Sequence, residues 1–223
     1  MTHRKKLIDT ALASVVVVGA IVASLAVAET KEKGAPVAAA AGDKAAQPQL
    51  PPGWTEADMQ ACIAAATPGE QHKKLASDIG TWNGKSTMWM GPGGPPVASE
   101  TKSVVTPIMD GRYVKVDVTG DLPGMGPFHG VGVYGFDNVQ QKYVATWIDN
   151  QSTGIMHGTG EVSPDGKTLT WTYNYTCPVT KKPTKMREVQ TVTGSGTKTI
   201  EMFGNEPKSG KEFKMMRIEL TKA

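Results

Sequence analysis

The stretch DGRYVKVDVTG, Asp110 to Gly120, decides the fold. Asp110-Gly111 is a tight-turn signal, and after it Val114, Val116 and Val118 alternate with Tyr113, Lys115 and Asp117. A period of two puts apolar side chains on one face of a strand and polar ones on the other. The pattern returns near the C-terminus, where Met216, Ile218 and Leu220 alternate with Met215, Arg217 and Glu219. Between these two strands, Gly124 to Pro127, Asp137-Asn138, Pro164-Asp165-Gly166, Gly194-Ser195-Gly196 and Asn205 to Gly210 supply turn chemistry at regular intervals. About ten strands follow, over 84–90, 99–108, 111–119, 127–136, 141–149, 152–162, 167–175, 185–193, 197–204 and 212–221.

Ten strands joined by hairpins form a sandwich or an up-and-down barrel. Closure removes exposed edges, and glycines within strands (Gly130, Gly132, Gly135, Gly154, Gly158, Gly160) suit places where a barrel bends or needs room. The expectation is therefore an all-β, antiparallel up-and-down barrel. One or two short helices precede it, the first over Glu56 to Ala66. The second is opened by a capping box at Thr67-Pro68-Gly69-Glu70, with Pro68 at its first position, runs through His72, Leu75 and Ile79, and is stopped by Gly80.

The chain's 223 residues divide further at the N-terminus. Thr2 to Lys6 are polar and basic, Ala11 to Val27 are apolar and small, and Ala26-Val27-Ala28 has the small-x-small form of a cleavage site, so residues 1–28 read as a signal peptide. An uncleaved anchor is the alternative, since Ala11 to Ala28 is 18 residues, the lower limit for a span. Residues 29–53 form an Ala/Pro/Lys linker that cannot bury enough apolar surface to order itself. Residues 54–223 remain as one domain, and its location is expected to be periplasmic or secreted. Cleavage would leave no membrane segment.

Arg4, Lys5, Lys6 and Asp9 account for +2 of the net +3, leaving 21 basic against 20 acidic residues afterwards. Such a balance argues against a partner bound through phosphate charge, and no nucleic acid is expected.

Short helix followed by Gly80-Thr81-Trp82 resembles the G-x-W opening of lipocalin-like, or calycin, barrels, in which the Trp plugs the closed end. The longer stretches ATPGEQHKK (Ala66–Lys74), YVATWIDNQSTGIM (Tyr143–Met156), CPVTKKP (Cys177–Pro183) and KEFKMMRIEL (Lys211–Leu220) resemble the domain of unknown function 1579 over roughly residues 66–221. The resemblance implies a bacterial, often exported protein with no assigned activity and no catalytic residue to carry over.

The motifs that carry chemistry elsewhere lack their context here. Gly130 to Gly135 matches G-x-G-x-x-G but lies within a strand, with no helix N-terminus after it to hold a pyrophosphate. His129 and His157 stand on strands without metal-ligand spacing, although a barrel could bring them together for haem or a metal. Met88-Trp89-Met90 and Met215-Met216 are soft ligands suited to Cu(I), or simply core. Cys62 and Cys177 can pair in an oxidising compartment, which spacing leaves open. Asp149, Glu161, Glu188 and Glu201 are scattered over different strands, and no nucleophile, base and oxyanion set is recognisable.

The strand Tyr143 to Asp149 is the most suggestive element, because alternation puts Tyr143, Ala145, Trp147 and Asp149 on one face. With Trp171, Tyr173 and Tyr175 from a nearby strand it would line an aromatic cavity whose rim carries Asp149 and Asn150. That cavity would take a small apolar or amphipathic ligand. A solid aromatic core is the competing account.

Overall fold

The computed structural model describes residues 50–223. The segment read as a signal peptide, and most of the one read as a linker, lie outside the described residues. Among these, no helix is long and apolar enough to cross a membrane.

Two short helices lead in, α1 (Glu56–Ala66) and α2 (Glu70–Ala76). Ten strands follow: β1 (Gly80–Trp89), β2 (Pro96–Ile108), β3 (Tyr113–Leu122), β4 (Gly126–Asp137), β5 (Lys142–Asp149), β6 (Met156–Val162), β7 (Thr168–Thr176), β8 (Pro183–Gly194), β9 (Thr197–Asn205) and β10 (Glu212–Lys222). Each pairs antiparallel with its sequence neighbours, and β1 pairs with β10 from Trp82↔Lys222 to Met88↔Met216, closing an up-and-down barrel. Every strand edge is thereby used.

Alternation sets what faces inward. Val114 on β3, Tyr143 and Ala145 on β5, Trp171 and Tyr173 on β7, and Ile218 and Leu220 on β10 are all buried in one core. The outer face carries charge, including ion pairs from Glu201 to Lys214 at 2.5 Å and to Arg217 at 3.3 Å. The in-strand glycines make room for aromatics rather than bends. A Cβ on Gly158 would lie 2.7 Å from the Tyr173 ring, on Gly160 2.9 Å from Trp171, on Gly132 2.5 Å from Tyr134 and on Gly130 2.2 Å from Trp147. Gly154 differs, standing in the β5–β6 loop with open space around it.

The helices cover one end. Asn138, in the β4–β5 turn, donates from its side-chain amide to the carbonyls of Ala64, Ala65 and Thr67 at the end of α1. From α2, Lys74 donates to the Gly166 carbonyl at 2.6 Å, and Gln71 accepts from the Tyr143 hydroxyl. Trp82 is the plug: its indole N–H donates to the Asp78 carbonyl at 2.8 Å, and the ammonium groups of Lys198 and Lys222 lie 4.5 and 5.4 Å from its ring centre. Lys198 also reaches the Asp78 carboxylate at 2.8 Å, tying the segment between α2 and β1 to β9. At the other end stand the five turns β1–β2, β3–β4, β5–β6, β7–β8 and β9–β10.

Several boundaries differ from the sequence reading. β1 begins at Gly80, not residue 84, because its first residues pair with Val105, Val104 and Ser103 of β2. β6 begins at Met156, not 152, because residues 150–155 make the turn. The second helix is capped at Gly69, whose N–H donates to His72 Nδ1 at 3.0 Å, and it ends at Ala76, short of Ile79, where tighter turn bonds from Asp78 to Leu75 and from Ile79 to Ala76 replace the helical ones. Thr67 does not open it; its hydroxyl donates back to the Ile63 carbonyl at 2.6 Å and ends α1.

Candidate functional site

The barrel is not solid. A cavity of about 330 Å³ occupies its axis, at the lower end of the ~300–1,000 Å³ typical of small-molecule sites. Its wall is mostly apolar, with Val116, Val118, Ile200 and the methionines Met88, Met156, Met186, Met202 and Met216. Methionine is flexible and polarizable, so such a wall adapts to the shape of an apolar guest.

Of the sequence-predicted residues, Trp147, Asp149, Trp171 and Tyr173 line this cavity. Trp147 and Asp149 stand toward the open end. Trp147 stacks on Phe128 with ring centres 6.5 Å apart and donates from its indole N–H to Asp149 Oδ2 at 2.9 Å. Asp149 Oδ1 accepts from the Gln151 amide at 3.0 Å, so this carboxylate fixes the mouth.

Asn150 and Tyr175 are not among the lining residues. Asn150 turns onto the β4 strand, accepting from the His129 amide at 3.0 Å and donating to the Pro127 carbonyl at 2.9 Å, a clasp on the β5–β6 turn. Tyr175 continues the inward face of β7 beyond Tyr173 and stays half-buried near the Cys177 turn. Burial pushes its hydroxyl pKa up.

Deeper in the barrel lies a carboxylate that the sequence names only among scattered acidic positions and does not place inside. Glu188 on β8 is buried beside Trp171, its cross-strand partner on β7. Gln190 donates to Glu188 Oε1 at 2.6 Å. Desolvation pushes the Glu188 carboxyl above the usual range, opposed by that hydrogen bond and by the Lys198 charge. The Tyr173 hydroxyl donates to the Tyr134 hydroxyl at 3.2 Å, and burial together with Glu188 raises both phenols. Two buried polar atoms have no partner among the described residues, Trp171 Nε1 and Thr101 Oγ1, and both residues line the cavity. They stand on β7 and β2, strands that lie five apart in either direction around the barrel. Parity could have found Glu188, since Met186, Glu188 and Gln190 share a face; the apolar Val189 between them hides it.

The remaining candidates separate. His129 and His157 are exposed on the outer face, so they do not meet across the lumen as a haem or metal pair. Within Met88-Trp89-Met90, Met88 lines the cavity while Met90 lies past the end of β1 and is 69% exposed. Met215 sits where the β10 register shifts between Lys214 and Met216, and its sulfur packs against Gly204 on the inward face of β9, while Met216 lines the cavity. Cys62 and Cys177 are free thiols. They sit at opposite ends of the barrel, Cys62 on the covering helix and Cys177 in the β7–β8 turn. Hydrogen bonds from Thr180 hold the Cys177 thiol below its ordinary range.

Residues 67–222 match the family described as Protein of unknown function (DUF1579). Among solved structures, the fold is similar to that of Rv2717c from M. tuberculosis, with a TM-score of 0.52, 13% identity, and coverage of 70% of this chain and 99% of that one. That likeness concerns the fold alone. No curated protein matches the sequence.

Proposed function

We propose that this chain, which belongs to the DUF1579 family, is an exported carrier or sensor that holds a small apolar or amphipathic molecule inside its barrel. The observation that carries the reading is an apolar cavity of whose lining residues two, Trp171 and Thr101, each hold a buried, unpartnered hydrogen-bonding atom. An unpaired buried donor or acceptor costs about 1–3 kcal/mol. A well-filled structural core has no reason to keep two of them. A guest with a polar group removes that cost while its body replaces missing wall contacts. Export rests on the signal-like segment 1–28 and fits a protein that meets its ligand outside the cytoplasm. Binding rather than turnover is the economical role, because the mouth carboxylate Asp149 is occupied by Trp147 and Gln151.

Titration with the neutral fluorophore N-phenylnaphthylamine tests this directly. The reading expects saturable one-to-one binding that quenches tryptophan emission, weakened about tenfold by Val116→Phe, which fills part of the cavity. Absence of saturable binding to the wild-type chain would leave a structural barrel that takes no guest as the better account.

A further inference from the structure

The polar atoms at mid-barrel define which head group a guest must carry, an inference that rests on the binding reading above. Trp171 is 1% exposed, and its indole N–H finds no acceptor among the described residues. On the same side, Tyr173 donates to Tyr134, which leaves the Tyr134 proton free to be given elsewhere. Both donors call for a lone pair. Glu188 supplies the opposite need, since its hydrogen bond from Gln190 engages one oxygen and leaves the other as an acceptor.

Three head groups can be weighed against this set. An ammonium has no lone pair, so Trp171 and Tyr134 would stay unsatisfied. A carboxylate offers lone pairs but must face Glu188 as a second anion or share a proton with it. The nearest compensating cation, Lys198, is already held by the Asp78 carboxylate at 2.8 Å. A hydroxyl accepts from the two donors, gives its own proton to Glu188, and brings no charge into a low-dielectric space. We propose that the cavity selects neutral hydroxyl-bearing amphiphiles over carboxylates and amines of the same chain length, with Glu188 as the residue that enforces the choice.

Competition against bound N-phenylnaphthylamine near neutral pH, with decanol, decanoate and decylamine, reads the preference on the wild-type chain. Decanol should compete about tenfold more strongly than either charged analogue. Glu188→Gln keeps the size of the side chain and one acceptor oxygen but removes the charge and turns the second acceptor into a donor. It should narrow the gap between decanol and decanoate at least threefold, with an unchanged far-ultraviolet circular dichroism spectrum. Decanoate or decylamine competing as well as decanol overturns the head-group inference and leaves the binding reading standing. Fluorophore binding with no competition from any of the three overturns the inference as well, whereas failure of the fluorophore itself to bind overturns both.

Discussion

Trp171 and Glu188 face each other across the β7–β8 ladder, an indole N–H without a partner beside a carboxyl that Gln190 alone bonds among the described residues. Tyr134 and Tyr173 extend this polar patch along the cavity lining. A buried polar cluster that is only partly satisfied is costly, and that cost gives the barrel a measurable pH dependence.

Glu188→Gln should reveal it. The folded protein raises this carboxyl above its ordinary value of 4.5, with burial the largest cause. The protonated form is therefore favoured on folding. Its stabilising contribution is fully present below pH 4.5 and is lost as pH rises through the higher folded value. Tyr134, Tyr173, Gln190 and Lys198 surround the group, and the phenols stay protonated throughout this window. Thermal unfolding of both chains from acid to neutral pH should give matching midpoints at the acid end. The Gln variant should then gain as pH rises, each ~1 kcal/mol appearing as about 2–4 °C. A variant less stable than wild type at neutral pH would mean that the ionised carboxylate is a net stabiliser.

Gly158→Ala should destabilise by about 1–3 kcal/mol, because its Cβ would fall 2.7 Å from the Tyr173 ring and push that hydroxyl from Tyr134. Gly154→Ala, with nothing within 4 Å, should stay within about 0.5 kcal/mol of wild type. Urea unfolding of the pair separates the two. Equal effects would show that Gly158 is not the cushion under Tyr173.

The strand pattern was legible because it is local. Val114, Val116 and Val118 alternate within β3, and the turn residues between strands need no distant partner to be recognised. Closure of β1 onto β10 could be inferred only from the count of strands. The site was partly legible for the same reason: Trp147, Asp149, Trp171 and Tyr173 follow from parity along β5 and β7. Asn150 was misplaced because its side chain answers to the β4 backbone, a long-range partner that period two does not encode. Glu188 and Lys198 went unseen as interior groups because a charged residue reads as a solvated one until its neighbours are known.

Trp82→Ala should cost about 3–5 kcal/mol, the range for losing a buried tryptophan, since the ring fills the closed end and holds Asp78 through its N–H. Chemical denaturation is the check. A loss near that of an exposed residue would show that α2 and the two lysines close the end without it.

The export reading predicts an N-terminus at Glu29 in protein taken from its native host. Intact mass should lack residues 1–28; their retention in a membrane fraction would establish the anchor instead.

Native mass spectrometry of the chain purified from that host, without added ligand, tests the central claim most directly. A guest held in the 330 Å³ cavity should appear as one discrete small-molecule mass above the polypeptide, neutral in charge and released on unfolding. A polypeptide at its apoprotein mass, whose tryptophan fluorescence also stays unchanged when decanol is added, would contradict the account.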